Sequence, residues 1–117
     1  MKERVMNFTV LFSLLITCVM SVSALASTTH VVQMKSVSYE PKLIEIKVGD
    51  AVTWKNVSYT EHSATADDST PLDMKFESGL IQPKKTTKPF IFKKAGTIMY
   101  HCSVHGKTMS AKVVVKP

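Results

Sequence analysis

"LIEIKVGDAVTWKN", residues 43–56, places its apolar side chains on alternate positions. Ile44, Ile46 and Val48 alternate with Glu45 and Lys47, the mark of a strand with one face in a core and one in water. Gly49-Asp50 is a turn dipeptide. Val52 and Trp54 then alternate with Thr53 and Lys55, so the chain returns as a second strand. A helix would need apolar residues three and four apart, and this stretch has them two apart.

The same period extends outward. His30 to Val37 begins with β-branched residues and is followed by turn residues. Ser58 to Pro71, rich in Ser, Thr and Asp, reads as a loop. Pro83 to Thr87 is a turn before "KPFIF", where Phe90 and Phe92 share a face. In "TIMYHC", Ile98, Tyr100 and Cys102 point one way, and Met99 and His101 the other. "AKVVVKP" is a last strand. No helical period appears beyond the N-terminal segment, and there is no internal repeat. A chain of 117 residues built this way is expected to be all-β: one domain, a β-sandwich or barrel.

The N-terminus is different in kind. Lys2 and Arg4 precede a run, Val5 to Thr29, without a charged residue, and Leu11, Phe12, Leu14, Leu15 and Ile16 form its apolar centre. Ala24-Leu25-Ala26 supplies the small-x-small pattern of a signal-peptidase site. Residues 1–26 are therefore expected to be a secretory signal, and residues 27–117 the exported domain. The run is long enough to be a retained membrane anchor, but Ser, Thr and Asn interrupt it. Leu15-Ile16-Thr17-Cys18 is a poor lipoprotein box, because Thr17 is larger than the residue that should precede such a cysteine. Cleavage removes Cys18 and leaves Cys102 alone. A single thiol in an oxidising compartment has no internal disulfide partner, which favours a metal ligand or a catalytic thiolate.

The formal charge is +6, and loss of Lys2, Glu3 and Arg4 brings it to about +5. The lysines are dispersed and no arginine remains. Nucleic-acid surfaces rely on arginine and interleaved aromatics, so nucleic acid is not an expected partner. A basic surface that steers an acidic protein fits better.

The reactive residues gather in "HCSVHGKTM", residues 101–109. Cys102, His105 and Met109 offer a thiolate, an imidazole and a thioether, soft to borderline donors that suit copper in both oxidation states. Two histidines, one cysteine and a weak axial methionine make the blue-copper set. The second histidine must come from elsewhere. Strand alternation turns His101 away from Cys102, and His30 lies at the expected frayed start of the exported chain. His62 follows a strand end by a short loop. Other chemistries fit less well. A Cys–His nucleophile pair has no orienting Asn or Asp in the motif and no use for Met109. Zinc would draw on more Cys or His. A buried Cys and Met with surface histidines is the bland alternative.

Several motifs together resemble the small blue copper proteins, the cupredoxins of the plastocyanin, amicyanin and pseudoazurin group. "YEPKLIEIKVGDAVTWKN" is similar to that family's opening strands. "EHSATADD" resembles the segment with the first histidine ligand. "FESGLIQPKKTTKPFIFKKAGTIMYHC" resembles its middle, and "CSVHGKTM" its ligand loop. The resemblance covers about Val31 to Val115. It implies a Greek-key β-sandwich, one type 1 copper ion, and the ligands His62, Cys102, His105 and Met109, with Met109 axial. The three residues between His105 and Met109 depart from the spacing usual in plastocyanin-like loops. Val104 stands where the family often has proline; its N–H is expected to donate to the Cys102 sulfur. Ser63 and Asn56 are expected to brace the ligand loops, while Trp54 and Tyr100 lie in the core. His101 is expected to be a solvated strand histidine.

The resemblance implies a periplasmic carrier of single electrons between a donor and an acceptor redox protein, not an enzyme. These partners are expected to dock near His105 with acidic surfaces. The carrier is expected to be a monomer without stable membrane insertion once the signal is cleaved. The alternative is a periplasmic copper-binding protein for delivery, storage or resistance.

Overall fold

The computed structural model describes residues 27–117. The expected secretory signal, residues 1–26, lies outside the described residues. Two four-stranded sheets pack face to face. One has the order β2-β1-β4-β6 and the other β3-β8-β7-β5. The strands are β1 Thr29–Met34, β2 Tyr39–Glu40, β3 Leu43–Lys47, β4 Ala51–Asn56, β5 Thr65–Ala66, β6 Phe90–Ile91, β7 Gly96–Cys102 and β8 Gly106–Lys116. A 3-10 turn, Leu72–Met74, interrupts the all-β pattern of the described residues. The expected β-sandwich is what forms.

Leu43 to Asn56 behaves as a strand–turn–strand unit whose arms enter different sheets. β3 buries Ile44 and Ile46 and exposes Glu45 and Lys47. Gly49 takes φ +94, which glycine adopts freely. The Asp50 N–H closes the turn onto the Lys47 carbonyl at 2.9 Å. β4 then pairs in parallel with β1, from Thr29↔Ala51 to Met34↔Asn56. Two details differ from simple alternation. Val48 belongs to the turn and is exposed, and Thr53 is buried. Thr53 lies in an interior strand, with β1 on one side and β6 on the other, so both faces are partly covered.

His30 is not frayed. It sits within β1, and its Nε2 lies 3.0 Å from Asp50 Oδ2. The Thr28 and Lys47 N–H groups donate to the same carboxylate at 3.0 and 3.1 Å. These donors, the Thr28 N–H foremost, hold the Asp50 carboxyl at about 2.

The core lies between the sheets. Trp54 stacks on Phe76 at 5.0 Å and meets Tyr100 edge-on at 5.6 Å. Tyr39 meets Tyr100 at 4.6 Å. Val32, Met34, Ile98, Val113 and Val115 fill the remaining layer. Trp54 and Tyr100 are core residues, as expected, although the Trp54 Nε1–H and the Tyr100 hydroxyl find no partner there. Burial lifts the Tyr100 hydroxyl to about 12.

β7 and β8 form the hairpin that carries the ligand motif. Their register runs from Gly96↔Val115 to His101↔Ser110, then shifts at a bulge between His101 and Cys102, where Cys102 pairs with Gly106. Bulges of this kind re-aim a side chain. β8 begins directly after His105, well before the expected "AKVVVKP" strand. The Ser58–Pro71 segment, expected to be a loop, contains β5, which pairs Thr65 with His101 and Ala66 with Tyr100.

Candidate metal centre

Three side chains from two distant parts of the chain meet at one end of the sandwich. Among the described residues, His62, Cys102 and His105 bring their potential donor atoms within 4.8 Å of one another. The Cys102 sulfur lies 3.6 Å from His62 Nδ1 and 3.7 Å from His105 Nδ1. His62, Cys102 and Met109 are wholly buried, and His105 is half-buried.

Each position has a structural cause. Cys102 ends β7 on its inward side, beyond Ile98 and Tyr100. The turn from Ser103 to His105 brings His105 back beside the sulfur. Met109 is the first inward residue of β8 after the bulge, in line with Ala111, Val113 and Val115. His62 is set by its backbone: its N–H and carbonyl both pair with Ile81, at 3.2 and 2.7 Å. The imidazoles of His62 and His105 are 4.9 Å apart between centroids.

The surrounding bonds fix this arrangement. Ser63 Oγ accepts the Ser103 N–H at 2.9 Å and meets Ser103 Oγ at 2.9 Å. The segment after the first histidine is thereby tied to the residue after the cysteine. Asn56 Nδ2 donates to the carbonyls of Thr60 and Ile81 at 2.8 and 2.9 Å, while its Oδ1 accepts from the Ser58 N–H and hydroxyl. Both residues brace the site as expected. Two further contributors were not anticipated. Thr60 Oγ1 lies 3.3 Å from His62 Nε2 and orients the ring from behind. Tyr39 donates its hydroxyl to the Ser63 carbonyl. Thr60 lies two residues before His62, the one local signal that could have flagged it.

Two expectations are corrected. The N–H that meets the Cys102 sulfur belongs to Ser63, at 3.5 Å. No such bond from Val104 occurs among the described residues. The tight turn carries Val104 to its outer side, where it is 52% exposed. His101 does face away from Cys102, but it is not a freely solvated histidine. Its Nδ1 lies 2.6 Å from Asp67 Oδ1, with about four-fifths of the side chain covered. The pairing of β5 with β7 brings Asp67 to it.

The donor set suits a cation. A thiol is a weak hydrogen-bond partner, and two imidazole nitrogens at 3.6 and 3.7 Å from one buried sulfur suit a metal-ligand cluster better than a strong hydrogen-bond network. Burial first, and His105 second, hold His62 below its ordinary pKa, which keeps a lone pair available. Separations of 3.6 and 3.7 Å between the sulfur and the two nitrogens would let one ion be shared by all three, and two imidazoles with one thiolate are the donor types of a His₂Cys copper site. The residues fit the group.

A family model, the cupredoxin-like domain, matches residues 8–115. Amicyanin of Paracoccus denitrificans is 34% identical over 86 residues, 74% of this chain; the chain spans 64% of that relative's length. Among solved structures, the Cu(I) form of an amicyanin variant superposes with a TM-score of 0.68 at 30% identity, covering 78% of this chain and 85% of that one. An oxidised amicyanin variant gives 0.67 at 29%, covering 74% and 81%.

Proposed function

The chain belongs to the cupredoxin-like family, and from that premise we propose that it carries single electrons between redox proteins in the periplasm. The ligands in this reading are His62, Cys102, His105 and, axially, Met109. Bound copper supplies a one-electron couple between Cu(I) and Cu(II). The protein's own part is to hold the donors still. The observation that carries the reading is the convergence of both histidine Nδ1 atoms on one wholly buried thiol sulfur.

The bracing supports a carrier. Ser63, Asn56 and Thr60 fix the ligand segments by bonds that do not involve the metal. A site held this way changes little between oxidation states, so reorganisation on electron transfer is small. His105 is the donor nearest the surface, beside the exposed Val104 and Gly106, and it gives the electron its way out. Four protein donors leave no position for a substrate, so the site is not that of a metal enzyme. Export follows from the signal read in residues 1–26, and dispersed exposed lysines favour acidic partners.

Visible spectroscopy after addition of Cu(II) tests the reading. An intense thiolate-to-copper band and reversible one-electron cycling are the expected results. A colourless Cu(I) protein that resists oxidation would instead mark a copper delivery or storage role.

A further inference from the structure

One backbone conformation at the metal end is out of keeping with its residue. Lys84 has φ +68, the one non-glycine residue with positive φ among the described residues. It follows Pro83 in a turn closed by the Lys85 N–H onto the Gln82 carbonyl at 3.1 Å. A proline at the second position and a left-handed residue at the third define a type II turn, whose third position favours Gly or Asn. The turn needs no lysine for its own sake. Its backbone is locked by other bonds: the Lys84 N–H donates to the Asn56 carbonyl at 2.8 Å, and the Asn56 N–H to the Lys85 carbonyl at 2.9 Å. Strain kept at such a place points to a use for the side chain.

The Lys84 side chain reaches back across the metal end. Its Nζ donates to the Val57 carbonyl at 3.2 Å and lies 4.7 Å from the centroid of the Tyr59 ring. Tyr59 is 89% exposed, a large aromatic left in water three residues from His62. The ammonium has three hydrogens, and this contact uses one. The ring and the ammonium attract each other, and Lys84 remains exposed to solvent. Leu80 and Val104, both over half exposed, lie in the segments that carry Ile81 and His105. Glu61 accepts from Gln82 and Glu77 from the Gly79 N–H, so neither carboxylate is paired with the Lys84 ammonium. Lys85 and Lys107 add exposed positive charge at this end.

We propose that the Tyr59–Lys84 pair is the docking anchor for an acidic redox protein. A partner carboxylate pairs with the exposed Lys84 ammonium while an apolar partner surface covers the Tyr59 ring. Tyrosine is among the residues enriched at interface hot spots, and the ammonium beside it supplies the charge that draws an acidic surface. This inference rests on the carrier reading of the copper site and assigns it a recognition element.

The test uses the copper-loaded protein in its Cu(I) form and two small oxidants: anionic ferricyanide, standing in for partner carboxylates, and cationic tris(phenanthroline)cobalt(III). Lys84→Gly suits the backbone, because glycine takes φ +68 without strain. At low ionic strength it should slow the ferricyanide reaction by about three- to tenfold, leave the cobalt reaction no slower, and keep the melting temperature at or above that of the parent. Tyr59→Ala should lose part of the ferricyanide rate, and Tyr59→Phe should retain it, because the ring and not the hydroxyl holds the ammonium. Unchanged ferricyanide rates, or equal loss with both oxidants, overturn the anchor while the carrier reading stands. A parent protein that neither oxidant can oxidise overturns both.

Discussion

Ser63 Oγ accepts the Ser103 N–H at 2.9 Å and joins two segments 40 residues apart, one leaving the first histidine and one leaving the cysteine. The same hydroxyl meets Thr65 Oγ1 and Ser103 Oγ at 2.9 Å each. Ser63→Ala would leave these groups without their shared partner. Ser103 is exposed and Thr65 half-buried, so water replaces part of what is lost, and chemical denaturation of the metal-free protein should show a loss of about 1 kcal/mol. Bracing of this kind also governs metal affinity, typically by about 10–100-fold. Competition titration with a copper chelator should show a drop of that order, and unaltered affinity would mean that the ligand loops hold their places without this bond.

Met109 tests the axial assignment separately from the fold. Met109→Leu keeps volume and apolar character in a wholly buried position, so stability should fall by less than about 1.5 kcal/mol. The thioether donates electron density that favours Cu(II). Its removal should raise the reduction potential measured by protein-film voltammetry while the protein stays blue. An unchanged potential would remove Met109 from the ligand set despite its complete burial.

The site and the fold were legible to different depths. The strands were readable because their alternation is local, as at Ile44 and Ile46 or at Tyr100 and Cys102. Thr53 was misplaced because its burial depends on a neighbouring strand and not on its own period. Cys102 and His105 announced themselves by spacing, and His62 by its place after a strand. The pairs His101–Asp67 and His30–Asp50 could not be read, because each forms only when strands distant in sequence align. The same limit misassigned the donor to the Cys102 sulfur. Sequence proximity suggested Val104, whereas the fold delivers Ser63 from the other loop.

Asn56 should matter more than its distance from the ligands suggests. Its side chain is wholly buried and takes part in four hydrogen bonds that shape the loop from Val57 to His62. Asn56→Ala would leave the Ser58 N–H without its partner and would take one of two donors from each of the Thr60 and Ile81 carbonyls. A loss of about 1–3 kcal/mol is expected, with weaker copper binding because the loop that leads into His62 loses its bracing. Ser58→Ala removes fewer of these contacts and should cost distinctly less. Equal losses in the two variants would mean that Asn56 is not the hub of the loop.

Asp50 sets a pH dependence at the end of β4 away from the metal. Its carboxylate accepts the Thr28 and Lys47 N–H groups and faces His30 Nε2. These partners favour the charged form and lower the folded value to about 2, against about 3.9 in an unfolded chain. With a lowered folded value, the unfolded state binds the proton first as pH falls. The stabilisation is therefore complete above about pH 4 and fades as pH drops toward 2. Asp50→Asn should melt a few degrees below the parent at neutral pH, and the gap should close across that acidic window. Lys94 likewise lowers Asp73, but that pair is common to both proteins and cancels in the comparison. Melting temperatures of the metal-free proteins from pH 7 to pH 2 provide the check. A gap that stays constant down to pH 2 would show that the Asp50 charge contributes nothing to holding β1 against the β3–β4 turn.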